Sequence, residues 1–312
     1  MLTLLRRYGL HLVGLVLIAW VLMTSDLEKV GAAFAGLSPI RVVAIALLVL
    51  PGAVLKSWRW ERLLRGLRVR IPAARVLLVG VYGMALGFLS PGRVGEFTKI
   101  GFLKREAGLS LPLGTFSVVA DRVLDLFVLF LVLVTGVAYF VRGTTLVAAL
   151  LFGFAAALLC AGVLAVIWRF RPRGLTADVE SLFRPGPVLL FLALSLAATT
   201  LHFGQNTLLA WELGLDLGFW QVGFATTLAS MVALLPVTVM GIGTREVALI
   251  YALGLFGIDR SGAVSFSLLV FAVHLFVFLS VAGAGSLLLP PVEKGADGGG
   301  PVVEYPENKG KF

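Results

Sequence analysis

Long apolar runs alternate along the chain with short basic ones. Six stretches stay apolar over about the width of a bilayer: 8–24, 40–58, 113–141, 145–168, 187–211 and 262–289. Apolar runs of about 18 residues or more read as transmembrane helices, because about 20 residues at 1.5 Å each cross a hydrocarbon core of about 30 Å. Two further regions, 76–103 and 219–256, are apolar but interrupted by Pro and Gly. Each splits into a longer arm and a shorter one. The shorter arms, 94–103 and 246–256, rise only about 15 Å and cannot cross alone. The pattern predicts a re-entrant helical hairpin in each region, entering and leaving by the same face. Such backbone is tolerated at membrane depth only where it is buried in protein or lines a cavity.

Composition supports the membrane reading. The 312 residues are 59% hydrophobic and 14% charged, against about 45–50% and 25% in soluble domains. No stretch is long enough for a separate soluble domain, which leaves one transmembrane domain over 1–290. The Pro/Gly-rich tail 291–312, "PVEKGADGGGPVVEYPENKGKF", reads as disordered and cytoplasmic. The formal charge of +9 suits basic cytoplasmic loops, and no nucleic acid is expected as a partner. The N-terminal run "MLTLLRRYGLHLVGLVLIAWVLMTS" has signal-peptide features but no A-x-A site, and reads as a retained first helix. The single cysteine, Cys160, lies in an apolar run and reads as a small buried hydrophobe.

Basic residues orient the chain. Arg6 and Arg7 precede the first span, and "KSWRWERLLRGLRVRIPAAR" follows the second. Lys104 and Arg105 follow the first interrupted region, and "WRFRPRG" follows the 145–168 span. The opposite loops hold only Lys29, Arg41, Arg142 and Arg260. The asymmetry puts both termini in the cytoplasm. The halves 1–141 and 145–289 then each read span, span, hairpin, span, with the second inverted relative to the first. The expected fold is an all-α polytopic membrane protein, with about six full transmembrane helices and two re-entrant hairpins in an inverted-topology repeat. Broken segments at matching places of such a repeat point to a transporter-like site near the midplane.

The breaks carry charge. In "SPGRVGE" Ser90 suits a helix N-cap and Pro91 the first helical position, which puts Arg93 in the first turn. In "GTREVALIYALG" Thr244 suits the N-cap, Arg245 follows, and Gly254 suits the stop. A helix N-terminus favours anions, and a planar guanidinium adds a bidentate donor suited to phosphate. Gly92, Gly95, Gly241 and Gly243 would let a ligand approach the backbone. Glu96 and Glu246 would orient the arginines. In the plainer alternative, each Arg–Glu pair only holds its hairpin in shape. In "SVVADRVLDLF", Asp121 and Asp125 share a helix face and Arg122 reaches Asp125, either as part of a polar cavity or as a neutralised cluster. His202, Gln205 and Asn206 lie on one side of the 187–211 span, where interhelical hydrogen bonding is the plainer use. His274 stands alone and reads as packing, and His11 lies near an interface. Neither a metal-ligand spacing nor a nucleophile constellation occurs, and no cofactor is expected. Over 56–75, Arg59, Arg62, Arg65 and Arg68 interleave with Trp and Leu, as in a helix lying at the interface against anionic lipid. Gly83 and Gly87 form a small-residue face for helix packing within or between chains, and the oligomeric state stays open.

Four of these stretches, "KSWRWERLL", "LSPGRVGEFTKIGFLKREAG", "SVVADRVLD" and "LPVTVMGIGTREVAL", resemble the flippase-like family of the lysylphosphatidylglycerol synthase transmembrane domain. They come in the family's order over essentially 1–290. One departure is Asp121-Arg122, where the family often shows Glu-Arg. The resemblance implies an inner-membrane protein that translocates lipid or works beside lipid enzymes. Substrates would be an anionic phospholipid or a headgroup of polyprenyl-phosphate or hopanoid pathways. The chain looks like a stand-alone member, so aminoacyl transfer is not expected and the chain reads as a non-enzyme. A scaffold for a lipid- or glycan-modifying enzyme is the alternative. An enzyme using Glu96 or Asp121 as acid or base on a lipid-linked sugar is a weaker third. The orientation has a direct check. Reporter fusions at both termini are expected to give cytoplasmic signals, and an external signal from either end removes the basis for an inverted repeat.

Overall fold

A computed structural model of the chain describes residues 14, 16–141, 180–234 and 238–289. The expected span 145–168, the start of the expected span 8–24, His11, Cys160 and the tail lie outside these residues. Every regular element among the described residues is a helix. They are α1 (16–23), α2 (Leu27–Ala35), α3 (Pro39–Leu47), α4 (Val49–Gly66), α5 (Ala73–Phe88), α6 (Thr98–Ala107), α7 (Leu111–Phe140), α8 (Pro185–Glu212), α9 (Phe219–Ala233), α10 (Thr244–Gly254) and α11 (Arg260–Leu288). Among them, α3 with α4, α7, α8 and α11 are each long and apolar enough to cross a membrane, and α5 and α9 are shorter apolar helices. The protein is a multi-pass membrane protein.

Two boundaries differ from expectation, each for a local reason. The 40–58 span is two helices, α3 and α4, meeting at Leu48. Pro51 explains the joint, because its ring lacks an N–H and crowds the carbonyl one turn back. Helix α4 then runs unbroken to Gly66. Residues 56–66 are therefore the end of a span and not a separate interfacial helix. Helix α2 was not expected. Asp26 caps it, its side chain accepting from the Lys29 N–H at 3.2 Å.

Both interrupted regions break where Pro and Gly lie, but not as ordinary helix starts. In the first, Pro91–Phe97 is a tight 3-10 segment in which Gly92 and Arg93 are left-handed, at φ 56° and 59°. The regular helix begins only at Thr98, so Arg93 does not sit in an α-helical first turn. In the second, Met240 and Gly241 are left-handed at φ 55° and 70°. Helix α10 starts one residue earlier than expected, with Gly243 as N-cap and Thr244 as its first residue. The short arms are thus 98–107 and 244–254. The two breaks touch each other.

Two apolar cores flank that meeting point. One packs Trp60, Leu63 and Leu64 of α4 against Val76 and Val79 of α5, Leu103 of α6 and Phe116 of α7. The other packs Leu209 of α8, Phe224 of α9, Leu253 of α10 and Phe266 of α11. Close backbone approach joins the first break to α5. A Cβ on Gly95 would run into the Leu86 carbonyl, and its N–H donates to Ser90 Oγ at 2.7 Å. Gly101 on α6 faces open space. Gly95→Ala is therefore expected to lower the melting temperature in detergent, at a cost of about 1–3 kcal/mol. Gly101→Ala should leave it unchanged or raise it, by up to about 1 kcal/mol of helix propensity. Equal effects of the two substitutions would show that the contact at Gly95 does not set the shape of the break.

Candidate functional site

The polar interior starts from α4. Its apolar stripe, Trp60, Leu63, Leu64 and Leu67, is buried. Arg59, next to that stripe, points inward with it. Arg59 is 0% exposed. Its Nε donates to Asp121 Oδ1 at 2.9 Å and its Nη1 to Asp125 Oδ1 at 2.8 Å. The same Nη1 donates to Ser195 Oγ of α8 at 2.5 Å, and Nη2 to the Asp121 carbonyl at 3.0 Å. The expectation that Arg59 contacts interfacial lipid is thus corrected: the guanidinium ties α4 to α7 and α8. Lys56, one turn earlier, donates to Asp125 Oδ2 at 3.1 Å. Arg62 and Arg65 face outward, Arg62 lying 5.4 Å over the Trp58 ring and Arg65 pairing with Glu61. Arg68 also faces outward.

The network continues to the first break. Glu96 is buried and pairs with Arg122, not with Arg93. Lys99 lies 3.7 Å from Glu96 and 4.0 Å from Asp121, with its ammonium 5.0 Å over the Trp60 ring. Gly83 and Gly87 of α5 make the room: a Cβ on either would strike the Lys99 stem or the Glu96 side chain. This small-residue face therefore packs within the chain. At the second break Glu246 accepts from the Gly243 N–H at 2.6 Å and from Ser267 Oγ at 3.1 Å. Arg245 Nη2 reaches Glu246 Oε1 at 2.5 Å, and the guanidinium lies 4.7 Å over Phe271.

A cavity of about 200 Å³ joins the two breaks. Arg93 and Arg245 both line it, with Gly92 and Gly241 of the left-handed turns. Lys56, Arg122 and Asp125 line it from α4 and α7. The wall thus carries four cations, Lys56, Arg93, Arg122 and Arg245, against one carboxylate, Asp125. Among the described residues Arg93 has no ion pair within 4.0 Å and no side-chain hydrogen bond. Several expected site residues stand behind the wall. Glu96, Glu246 and Asp121 are absent from the lining and act through the cations they hold. Gly95 and Gly243 are packing positions, Gly243 against Leu17 and the Gly14 carbonyl.

The far wall comes from α8 and α11. His202, Gln205 and Asn206 all face the cavity rather than bonding a neighbouring helix. Asn206 Nδ2 instead meets His202 Nε2 at 3.1 Å, one turn apart on α8. His274 is not solitary: it lines the cavity, 5.5 Å from the His202 ring and 6.2 Å from Phe88. Sequence reasoning missed Lys56, Lys99 and His274. Lys56 and Arg59 carried a readable signal, since they adjoin the apolar stripe of α4 at helical spacing. Lys99 carried one too, at i+3 from Glu96. Nothing local marked His274.

Among curated proteins, none matches the chain. The family model described as the lysylphosphatidylglycerol synthase TM region matches residues 9–283. The resemblance carried by the breaks, the α4 arginines and the α7 acids thus extends over nearly the whole chain, and the protein belongs to the family of the lysylphosphatidylglycerol synthase transmembrane region.

Proposed function

We propose that the protein moves an anionic lipid headgroup across the membrane, holding its phosphate between Arg93 and Arg245. The observation that carries this reading is the shared cavity, with four cations and one carboxylate on its wall. A cation at the bilayer centre costs about 2.5–3.5 kcal/mol by insertion scales. Carboxylates hold Lys56, Arg122 and Arg245, so the excess that an anion would complete rests on Arg93. Arg93, which has no ion pair within 4.0 Å among the described residues, is the first candidate, and a planar guanidinium suits phosphate geometry.

The backbone supports the same reading. Each break carries two successive left-handed residues, one of them not glycine. Such conformations cost on the order of 1–3 kcal/mol each for non-glycine residues and cluster at ligand clamps. Two matching breaks suit two re-entrant hairpins of an inverted repeat, tips together at the midplane and both termini cytoplasmic. The family's link to a phospholipid synthase supports lipid as the cargo. The outward Arg62, Arg65 and Arg68 would gather anionic lipid at the inner face of the cell membrane. They equally suit a scaffold docked beside a lipid- or glycan-modifying enzyme, but a scaffold has no use for a cationic cavity. Acid–base chemistry finds little support, since Glu96, Asp121 and Asp125 are all held by cations.

In vesicles containing an acidic phospholipid, the purified protein is expected to speed exchange of that lipid between leaflets. Arg245→Ala and Arg93→Ala should each slow exchange by about 10- to 100-fold, the loss of about 1.5–3 kcal/mol of charge-assisted hydrogen bonding. Folded yield should hold. If Arg245→Ala instead lowers folded yield while exchange per folded molecule stays normal, the Arg245–Glu246 pair is structural and the proposal fails.

Arg59→Ala separates the framework from the site. It leaves Asp121 and Asp125 without their shared partner, so it should cost about 3–5 kcal/mol of stability. Thermal unfolding in detergent reads this. An unchanged melting temperature would mean the clamp does not hold the bundle.

A further inference from the structure

The cavity has two chemically different walls. We infer that its α8–α11 side is a neutral hydrogen-bonding subsite for hydroxyl groups. The substrate class is then a lipid phosphodiester bearing an uncharged polyhydroxyl headgroup, a glycerol or a sugar. This rests on the phosphate reading of Arg93 and Arg245 and adds what lies beyond the phosphate.

The argument is an inventory of donors and acceptors. His274 Nδ1 lies 2.8 Å from the Val270 carbonyl. A carbonyl only accepts, so Nδ1 carries the proton and Nε2 keeps a lone pair. Asn206 Nδ2 lies 3.1 Å from His202 Nε2 and 3.5 Å from Nδ1 of the same ring, so this amide already covers both nitrogens. Among the described residues Gln205 Nε2 and Asn206 Oδ1 have no hydrogen-bond partner, although the two residues are 1% and 0% exposed. The wall therefore offers one unpaired donor, Gln205 Nε2, beside two acceptors, Asn206 Oδ1 and His274 Nε2.

A hydroxyl donates and accepts at once, so a polyol can complete this mixed set. An ammonium only donates and a carboxylate only accepts. An ammonium would also need a free carboxylate. Asp125 alone faces the cavity, and Lys56 and Arg59 already hold it at 3.1 and 2.8 Å. Buried polar groups left unpaired are costly, so a site of this kind discriminates sharply against an analogue lacking the matching hydroxyls.

Shape agrees. The cavity volume of about 200 Å³ is several times the roughly 30 Å³ share of one water, room for a phosphate with a few attached atoms. Phe88 lies nearly parallel to the His274 ring, at 27°, and Phe278 lies 6.2 Å from it. Both phenylalanines line the cavity and give the C–H face of a polyol an apolar wall.

Native mass spectrometry of the purified full chain tests this. The probes are phosphatidylglycerol, phosphatidic acid and phosphatidylethanolamine of matched acyl chains, with a polyprenyl-phosphate hexose as a fourth. The wild type is expected to retain phosphatidylglycerol over phosphatidic acid by about tenfold, the worth of one or two hydrogen bonds, and to retain phosphatidylethanolamine least. Stronger retention of the hexose lipid would identify a glycan carrier as the source of the hydroxyls; stronger retention of phosphatidylglycerol would identify a phospholipid. Gln205→Leu with Asn206→Leu should bring the phosphatidylglycerol to phosphatidic acid ratio close to one. A wild-type ratio near one, a preference for the ethanolamine lipid, or a ratio that survives in the folded double variant overturns the inference. The wild-type ratio decides by itself if that variant does not fold. Arg245→Ala should weaken retention of both lipids alike. Should it leave both unweakened while the tenfold ratio persists, the phosphate reading fails and the hydroxyl subsite stands.

Discussion

A guanidinium buried completely inside an apolar bundle is costly unless its donors are answered, and Arg59 is where this protein meets that demand. Asp121, Asp125, Ser195 and the Asp121 carbonyl answer it from α7 and α8. Three long helices are fixed together by one side chain. The clamp also sets its neighbours. Asp125 has a second oxygen left for Lys56, and Arg122, 3.9 Å from that oxygen, turns to Glu96 at the first break. Removing one partner of such a group leaves a buried charge alone, which costs far more than the pair gains. The charges of the first half therefore behave as one unit.

That unit reaches the break only because α5 presents glycine to it. With Gly83 against Lys99 and Gly87 against Glu96, the Pro91–Phe97 segment lies directly on the helix. Charge, close backbone packing and the left-handed turn at Gly92 and Arg93 support one another. The second break has the same backbone device at Met240 and Gly241 but less charge, with Arg245 and Glu246 completed by Ser267 and the Phe271 ring. Beside it α8 and α11 contribute amide and imidazole groups rather than ions. The two breaks share a backbone turn and differ in chemistry, and the difference gives the cavity a cationic side and a neutral side.

Several features were legible in the sequence. Hydropathy alone identifies the membrane class, four long spans later found as helices, and the two interruptions. Those properties are set locally, by run length against bilayer thickness and by Pro and Gly within the run. The motif order also gave the family. The placement of Arg93 and Arg245 at the breaks and of Arg122 inside an apolar span was readable, since charge in an apolar run is conspicuous.

Which charge faces which was decided only by the tertiary structure. Arg59 and Arg62 look alike in an interleaved Arg/Trp/Leu segment, yet one is clamped between two aspartates and the other faces outward. Glu96 has Arg93 three residues before it and pairs with Arg122 twenty-six residues after it. His274 has no polar neighbour in sequence and meets His202 across two helices. The physical reason is common to all three. Composition and spacing determine that a helix forms and that its charges need partners. The partner chosen depends on the rotation of that helix against its neighbours, which close packing of the assembled bundle alone sets.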